Sequence, residues 1–209
     1  MRKMTDLEIE FIETILSLKD IPQSPKWHPE GDTLEHVKFI IYGLTFKEEQ
    51  GIITKEEVEL LTWVALFHDL GKIDTFTVDD NGVPHAYGHE KYAKDYINRF
   101  REVIPDHIDI NLLRGFCYFH MKAHQYMGTK MRVTKKEAFR DQFDVCDFFT
   151  LMTFESCDSS LTMYEMLRRT PEYLDIGYLE PIDFYNEVRP SMPWSDDEDF
   201  LELITGMMK

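Results

Sequence analysis

Apolar positions recur along this chain every three to four residues, and polar capping residues divide them into helix-length segments. Four segments open with a Thr or Asp followed three residues later by Glu: Thr5 with Glu8, Asp32 with Glu35, Thr54 with Glu57, and Thr134 with Glu137. In that arrangement each side chain satisfies the other residue's exposed backbone donor. After Asp32, the residues Leu34, Val37, Ile41 and Leu44 share one helical face, and Gly51 closes the segment. After Thr54, the stripe Val58, Leu61, Val64 and Ala65 runs up to His68, and Gly71 is expected to stop it. The same periodicity predicts helices near 89–101, 108–122, 135–158 and 160–169. Over 74–87 the pattern changes: two short β-prone runs flank Asp-Asn-Gly, which predicts a hairpin. Beyond 170 the chain meets Pro171, Pro181, Pro190 and Pro193, and a last short helix is expected from Ser195. The predicted architecture is mainly α: a helical bundle over residues 1–169 with a small β-hairpin near 74–87. Residues 170–209 form an irregular C-terminal extension, ending in a helix and packed on the same domain.

Composition narrows the setting. The chain has 209 residues, 43% of them hydrophobic and 30% charged, enough for a core without disulfide staples. Cys117, Cys146 and Cys157 are scattered with no C-x-x-C spacing, which suits reduced thiols in a cytoplasmic protein rather than a zinc knuckle or disulfide frame. The start, MRKMTDLEIEF, carries acids where a signal peptide needs an apolar stretch, and no apolar run is long enough to span a bilayer. Net charge is −16, from 39 acids against 23 bases. Such a surface repels polyphosphate backbones and argues against nonspecific nucleic-acid binding. It still allows a small or end-bound nucleotide in a local positive pocket.

The chemistry concentrates at FHDLGK, residues 67–72, where an apolar segment runs directly into His68 and Asp69. A carboxylate in the last turn of a helix meets carbonyls that already carry negative charge, and burying it unpaired costs several kcal/mol more. A divalent cation held by both side chains removes both objections. An isolated His-Asp pair would more simply satisfy itself or a buried base, but this pair is not isolated. His36 lies at the edge of its helix's apolar face, His120 continues the stripe Leu113, Phe116, Cys117, and Asp158 continues Asp147, Leu151, Phe154. Imidazole and carboxylate groups from several helices thus point to one interior. That donor set suits Mg²⁺, Mn²⁺, Ni²⁺, Co²⁺ or Fe, with no soft thiolate ligand.

His36, His68-Asp69 and Asp158 in this order resemble the H…HD…D signature of HD-domain metal-dependent phosphohydrolases. WHPEGDTLEH (27–36), ALFHDLGK (65–72), YGHE (87–90) and FHM (119–121) are similar to the HD domain of bacterial tRNA nucleotidyltransferases, the CCA-adding enzymes. The likeness covers about residues 27–165. It departs at Ile73, where the family usually has proline, and 170–209 have no counterpart. With no room for the nucleotidyltransferase head, hydrolase chemistry is expected rather than CCA addition. The resemblance implies an HD-domain helical bundle with His36, His68, Asp69 and Asp158 as ligands of a first metal. It places His89 and His120 at a second metal or at phosphate. A bound ion would acidify water and polarise the phosphoryl oxygen, Asp69 would also orient the nucleophilic water, and Lys72 would neutralise developing charge.

The expected activity is hydrolysis of nucleotides, as a 2′,3′-cyclic phosphodiesterase or a phosphomonoesterase. A deoxynucleoside triphosphate hydrolase, a di-iron HD oxygenase and an inactive nucleotide-binding sensor are the alternatives. His85, in the hairpin, is a candidate substrate contact, whereas His107 and His124 read as surface residues and His28 stays unassigned. Six bases crowd the segment after His120: Lys122, Lys130, Arg132, Lys135, Lys136 and Arg140. Lys130 and Arg132 are the candidate phosphate clamp, because Lys135 and Lys136 would fall in a first helical turn and point outward.

Overall fold

The computed structural model describes residues 3–169, 180–192, 194 and 196–208, and most of these are helical. Helix α1 (Asp6–Leu16) opens with the expected reciprocal cap: Glu8 N–H donates to Thr5 Oγ1 at 3.2 Å and Thr5 N–H to Glu8 Oε2 at 2.7 Å. Helix α2 (Thr33–Glu49) has only half of its cap. Asp32 accepts from Glu35 N–H at 2.9 Å, but the Glu35 carboxylate is drawn away to Tyr185 and Arg189, at 2.8 and 2.7 Å. Gly51, at φ +67°, ends α2 in the left-handed conformation that glycine adopts without strain. Helix α3 (Lys55–Phe67) carries the Thr54–Glu57 box intact.

Helix α2 packs against α3, and the rings of Phe11, Trp63, Phe67 and Phe100 fill the space beneath. Phe11 stands 5.9 Å from Trp63, 5.4 Å from Phe67 and 5.2 Å from Phe100, centroid to centroid. Each such ring contributes roughly 1.5–3 kcal/mol by leaving water. This apolar floor fixes the end of α3, and with it His68 and Asp69.

Past Phe67 the chain turns and enters a short helix, α4 (Lys72–Thr75), which takes the place of the first expected hairpin residues. Gly71 does not supply the stop of α3 as expected, since α3 ends at Phe67 and Gly71, at φ −62°, precedes α4. Glycine is required there for space: a Cβ would lie 2.1 Å from the carbonyl oxygen of His89 and 2.9 Å from Cβ of Tyr92. The missing side chain lets the segment carrying His89 approach Asp69. The hairpin itself is small, with β1 (Thr77–Val78) antiparallel to β2 (Pro84–His85) and Thr77 opposite His85. Its turn is built on Asp79 Oδ1, which accepts from Asn81 and Val83 N–H, with Gly82 at φ +78°.

A 3-10 turn, His89–Lys91, leads into α5 (Ala93–Arg99), and α6 follows (Ile110–Met127). The single helix expected over 135–158 is two, α7 (Val133–Arg140) and α8 (Val145–Asp158). Asp144 starts the second by accepting from Asp147 N–H at 2.8 Å. Thr134 is not a cap, since α7 begins one residue earlier with Arg132 at the cap position. Helix α9 is Ser160–Leu167.

Pro181 starts a helix rather than breaking one: α10 (Pro181–Val188) has it at the first turn, where its missing N–H has no bond to lose. Helix α11 (Asp197–Met207) is capped by Asp196; Pro171, Pro193 and Ser195 lie outside the described residues. These last helices are tied to α2 by polar contacts. Arg189 and Tyr185 bond Glu35, and the buried Lys38 ammonium meets Asp197 at 2.6 Å. No helix among the described residues is long and apolar enough to cross a membrane.

Two glycine substitutions should therefore act in opposite directions. Gly71→Ala forces backbone against backbone and is expected to lower unfolding free energy by about 1–3 kcal/mol in urea titration. Gly115→Ala, in the middle of α6 with open space around it, should raise it by about 0.5–1 kcal/mol. Equal effects at both sites would disprove the close-approach account of Gly71.

Candidate metal centre

Six groups named from the sequence meet in one place. His36 comes from the first turn of α2, His68 from the end of α3, and Asp69 from the turn beyond. His89 opens the 3-10 turn, His120 lies in α6, and Asp158 is the last residue of α8. All six are buried. Their ligand atoms form two triads, His36–His68–Asp158 and Asp69–His89–His120, each with its atoms within 4.8 Å of one another. Asp69 reaches both: Oδ2 is 3.3 Å from His68 Nε2, and Oδ1 is 3.0 Å from His89 Nε2.

The outer edges of the four imidazoles set their inner edges. His68 Nδ1 faces the Ala65 carbonyl at 2.9 Å, His89 Nδ1 that of Ala86 at 2.7 Å, and His120 Nδ1 that of Cys117 at 2.7 Å. His36 Nδ1 faces Glu30 Oε1 at 2.6 Å. Carbonyls and carboxylates only accept, so each Nδ1 carries a proton, and in a neutral ring each Nε2 turns a lone pair inward. There they meet one another and the carboxylates. His89 Nε2 and His120 Nε2 are 3.0 Å apart, and His36 Nε2 is 2.9 Å from Asp158 Oδ1. His68 Nε2 is buried without a hydrogen-bond partner. Lone pairs and anions aimed at one point need a cation, and a donor set of imidazole and carboxylate fits a divalent one.

Protons are the other available cations. Burial works against a charge on His36, but Asp158 and Glu30 outweigh it and hold its pKa up at about 9. Asp69 and Asp158 likewise overcome burial at His68, up at about 10. His120 goes the other way, to about 3, through burial and the charge on His68. Asp69 and Asp158 stay well below the usual carboxylate range despite burial, held by His68 and Lys72 and by His36 and His68 respectively.

Lys72 Nζ lies 2.6 Å from Asp69 Oδ2 and also donates to Gln23 Oε1. It therefore steadies the carboxylate as well as adding positive charge beside the site. Glu30, within the HPEGD stretch, went unnoticed as a site residue; it is buried and gathers His36, His28 and Ser160 on one oxygen. His124 is exposed, as expected of a surface residue, yet it also faces inward. It lines the same cavity of about 90 Å³ as His36, Asp69, His89, His120 and Asp158, and its Nδ1 is 2.6 Å from buried Glu155. Its position four residues after His120, one helical turn along the same face, was the available signal. His107 is exposed and pairs with Glu59, as a surface residue does.

The cavity lined by the two triads adjoins two others. His28, Lys72, His89 and Met121 are shared with a cavity of about 250 Å³ walled by Trp27, Phe76, Tyr87 and His85. His85 stacks on Tyr87 and contacts Asp79, so it belongs to this wall and not to the two triads. His124 is shared with the other, a groove of about 980 Å³ that carries Lys130, Arg132 and Lys135. Lys135 thus faces the groove, contrary to expectation. Lys136 turns to the Gly128 carbonyl and the Tyr126 ring, Lys122 to Phe119 and Phe139, and Arg140 to Asp141.

The chain is similar to part of several proteins described as multifunctional CCA proteins. That of Azoarcus sp. (strain BH72) is 33% identical over 145 residues, 66% of this chain and 32% of that protein. That of Pasteurella multocida (strain Pm70) is 31% identical over 131 residues, 60% and 28% of the two chains. That of Aromatoleum aromaticum is 36% identical over 75 residues, 36% and 16%. The chain spans a third or less of the length of these relatives. No family model matches it, and no solved structure does.

The raised pKa values predict how metal and protons trade places. In the metal-free protein, His36 and His68 titrate above the unfolded value of 6.5, so their stabilisation is complete below about pH 6.5. It fades as pH climbs through about 9 and 10. A divalent ion bound between the triads would replace those protons. The rise in Tm on adding Mn²⁺ should widen steadily from pH 6.5 to 9, and a gain in Tm that shrinks with pH would contradict the assignment.

Proposed function

We propose that this chain is a metal-dependent phosphohydrolase of the HD type acting on nucleotides, as a 2′,3′-cyclic phosphodiesterase or a nucleotide phosphomonoesterase. The observation that carries the proposal is the convergence of four Nδ1-anchored histidines and two carboxylates beside Lys72, between an aromatic cavity and a basic groove. The likeness to part of the multifunctional CCA proteins supports a nucleotide-related enzyme. A nucleotide 3′ end is a substrate of the same chemistry.

In this reading His36, His68, Asp69 and Asp158 would hold a first ion, and His89 and His120 would hold a second or meet phosphate. A bound divalent ion acidifies water and polarises a phosphoryl oxygen. Lys72 keeps Asp69 ionised and in place to orient the nucleophilic water. The aromatic wall of Trp27, Phe76 and Tyr87 offers π faces on which a base can stack. Lys130 and Arg132, joined by Lys135, supply local positive charge in a chain of net −16 and draw an anionic substrate inward.

A second reading, a di-iron oxygenase, is favoured by Asp69 reaching into both triads. Metal analysis separates the two. Hydrolysis of cyclic, mono- and triphosphate nucleotides with Mg²⁺, Mn²⁺, Ni²⁺ or Co²⁺ supports the first; tightly bound iron with visible absorption and O₂-dependent turnover replaces it with the second.

His68→Ala and Asp69→Ala should each abolish hydrolysis and bound metal together, while circular dichroism reports whether the fold survives. Full activity with unchanged metal content in either variant would sink the proposal. Arg132→Ala should raise KM several-fold, with a larger defect at low ionic strength, where the attraction is unscreened. A KM that stays the same at low and high salt would reduce these bases to surface decoration.

A further inference from the structure

Glu155 has no part in the two triads, yet it is among the most completely buried acids of the described residues, at 1% exposure. Neither of its oxygens finds a donor at hydrogen-bond angles. What it does have is His124: Oε1 lies 2.6 Å from Nδ1 of a ring whose side chain is 54% exposed. An ionised carboxylate buried this way is costly unless it serves a charged partner. The partner stands at the one position shared by the cavity of the two triads and the basic groove. With Nδ1 turned inward to Glu155, Nε2 is the nitrogen available to a ligand in the cavity.

We propose that His124 is the general acid of the reaction, donating its Nε2 proton to the departing oxygen, and that Glu155 is the positioning residue that orients the ring. The inference rests on the phosphohydrolase reading above and extends it to a residue outside the two triads. As water attacks phosphorus, the bond from phosphorus to the leaving oxygen breaks and its electron pair goes to that oxygen. The oxygen takes the proton from His124 and departs as the alcohol. The attacking water releases a proton to solvent, and a solvent proton restores the half-exposed imidazolium, so ester and water become alcohol and phosphate. Glu155 is the strongest influence holding the His124 proton in place, raising its pKa above the ordinary histidine value. Burial in turn raises the Glu155 pKa, so its charge depends on the His124 ring beside it.

Leaving-group dependence tests this directly, because p-nitrophenolate departs without a proton and a ribose alkoxide does not. Wild type, His124→Asn and Glu155→Gln are compared on bis(p-nitrophenyl) phosphate beside 2′,3′-cyclic AMP, and on p-nitrophenyl phosphate beside adenosine 3′-monophosphate. Bound metal and Tm are measured on each protein. His124→Asn should lose about 10²–10⁴-fold in kcat on the nucleotides and less than about fivefold on the nitrophenyl esters, with metal content unchanged. Glu155→Gln should show the same selectivity with a smaller loss, near tenfold. Equal losses on both kinds of ester, or a loss of metal, would overturn the assignment in favour of a structural role. No loss on either would make His124 a bystander. Failure of wild type on every ester with every metal would instead strike the phosphohydrolase reading, and the general acid with it.

Discussion

Everything near the centre of this molecule follows from one electrostatic problem. Four imidazoles are pinned by Nδ1 to backbone carbonyls or to Glu30, and their Nε2 atoms face Asp69, Asp158 and one another at 2.9–3.9 Å. Without positive charge between them, these groups repel. With an ion, or with protons on His36 and His68, the same arrangement binds four helices and a turn into one unit. The core around Phe11, Trp63 and Phe67 makes the arrangement tolerable, because rigid apolar packing holds the end of α3 where the charges require it.

The supporting structure is arranged around that problem. Gly71 gives up a side chain so that the backbone of His89 can come within reach of Asp69. Lys72 offsets part of the negative charge from outside. Glu30 accepts from His36, His28 and Ser160 on one oxygen, so a loop before α2 and the start of α9 both bear on the orientation of a single ring. Around the cluster, chemistry is divided by side: aromatic faces toward the hairpin, bases toward the loop before α7, and His124 on the boundary between the two triads and the bases.

A second polar cluster fastens the C-terminal helices. Glu35 leaves its capping role on α2 to accept from Tyr185 and Arg189, and Lys38 crosses to Asp197. The cap is sacrificed for a contact spanning some 150 positions, a partner that local spacing has no means of revealing. The same limit explains Pro181, whose effect depends on which side of a helix boundary it falls.

By itself the sequence determined the helical periodicity, the hairpin turn and the residue types that gather near FHDLGK, because each depends on contacts within a few positions. Spacing on α6 and α8 was enough to turn His120 and Asp158 inward. Only the tertiary structure decided how those groups divide into two triads joined by Asp69, since that depends on where helices cross. It also decided that Gly71 serves a close approach rather than a turn, and that Lys135 faces the groove. Glu30 and Glu155 stayed hidden for the same reason. Glu155 is identified by His124, which comes from another helix, and Glu30 by Ser160, 130 positions away, as well as by nearby His36.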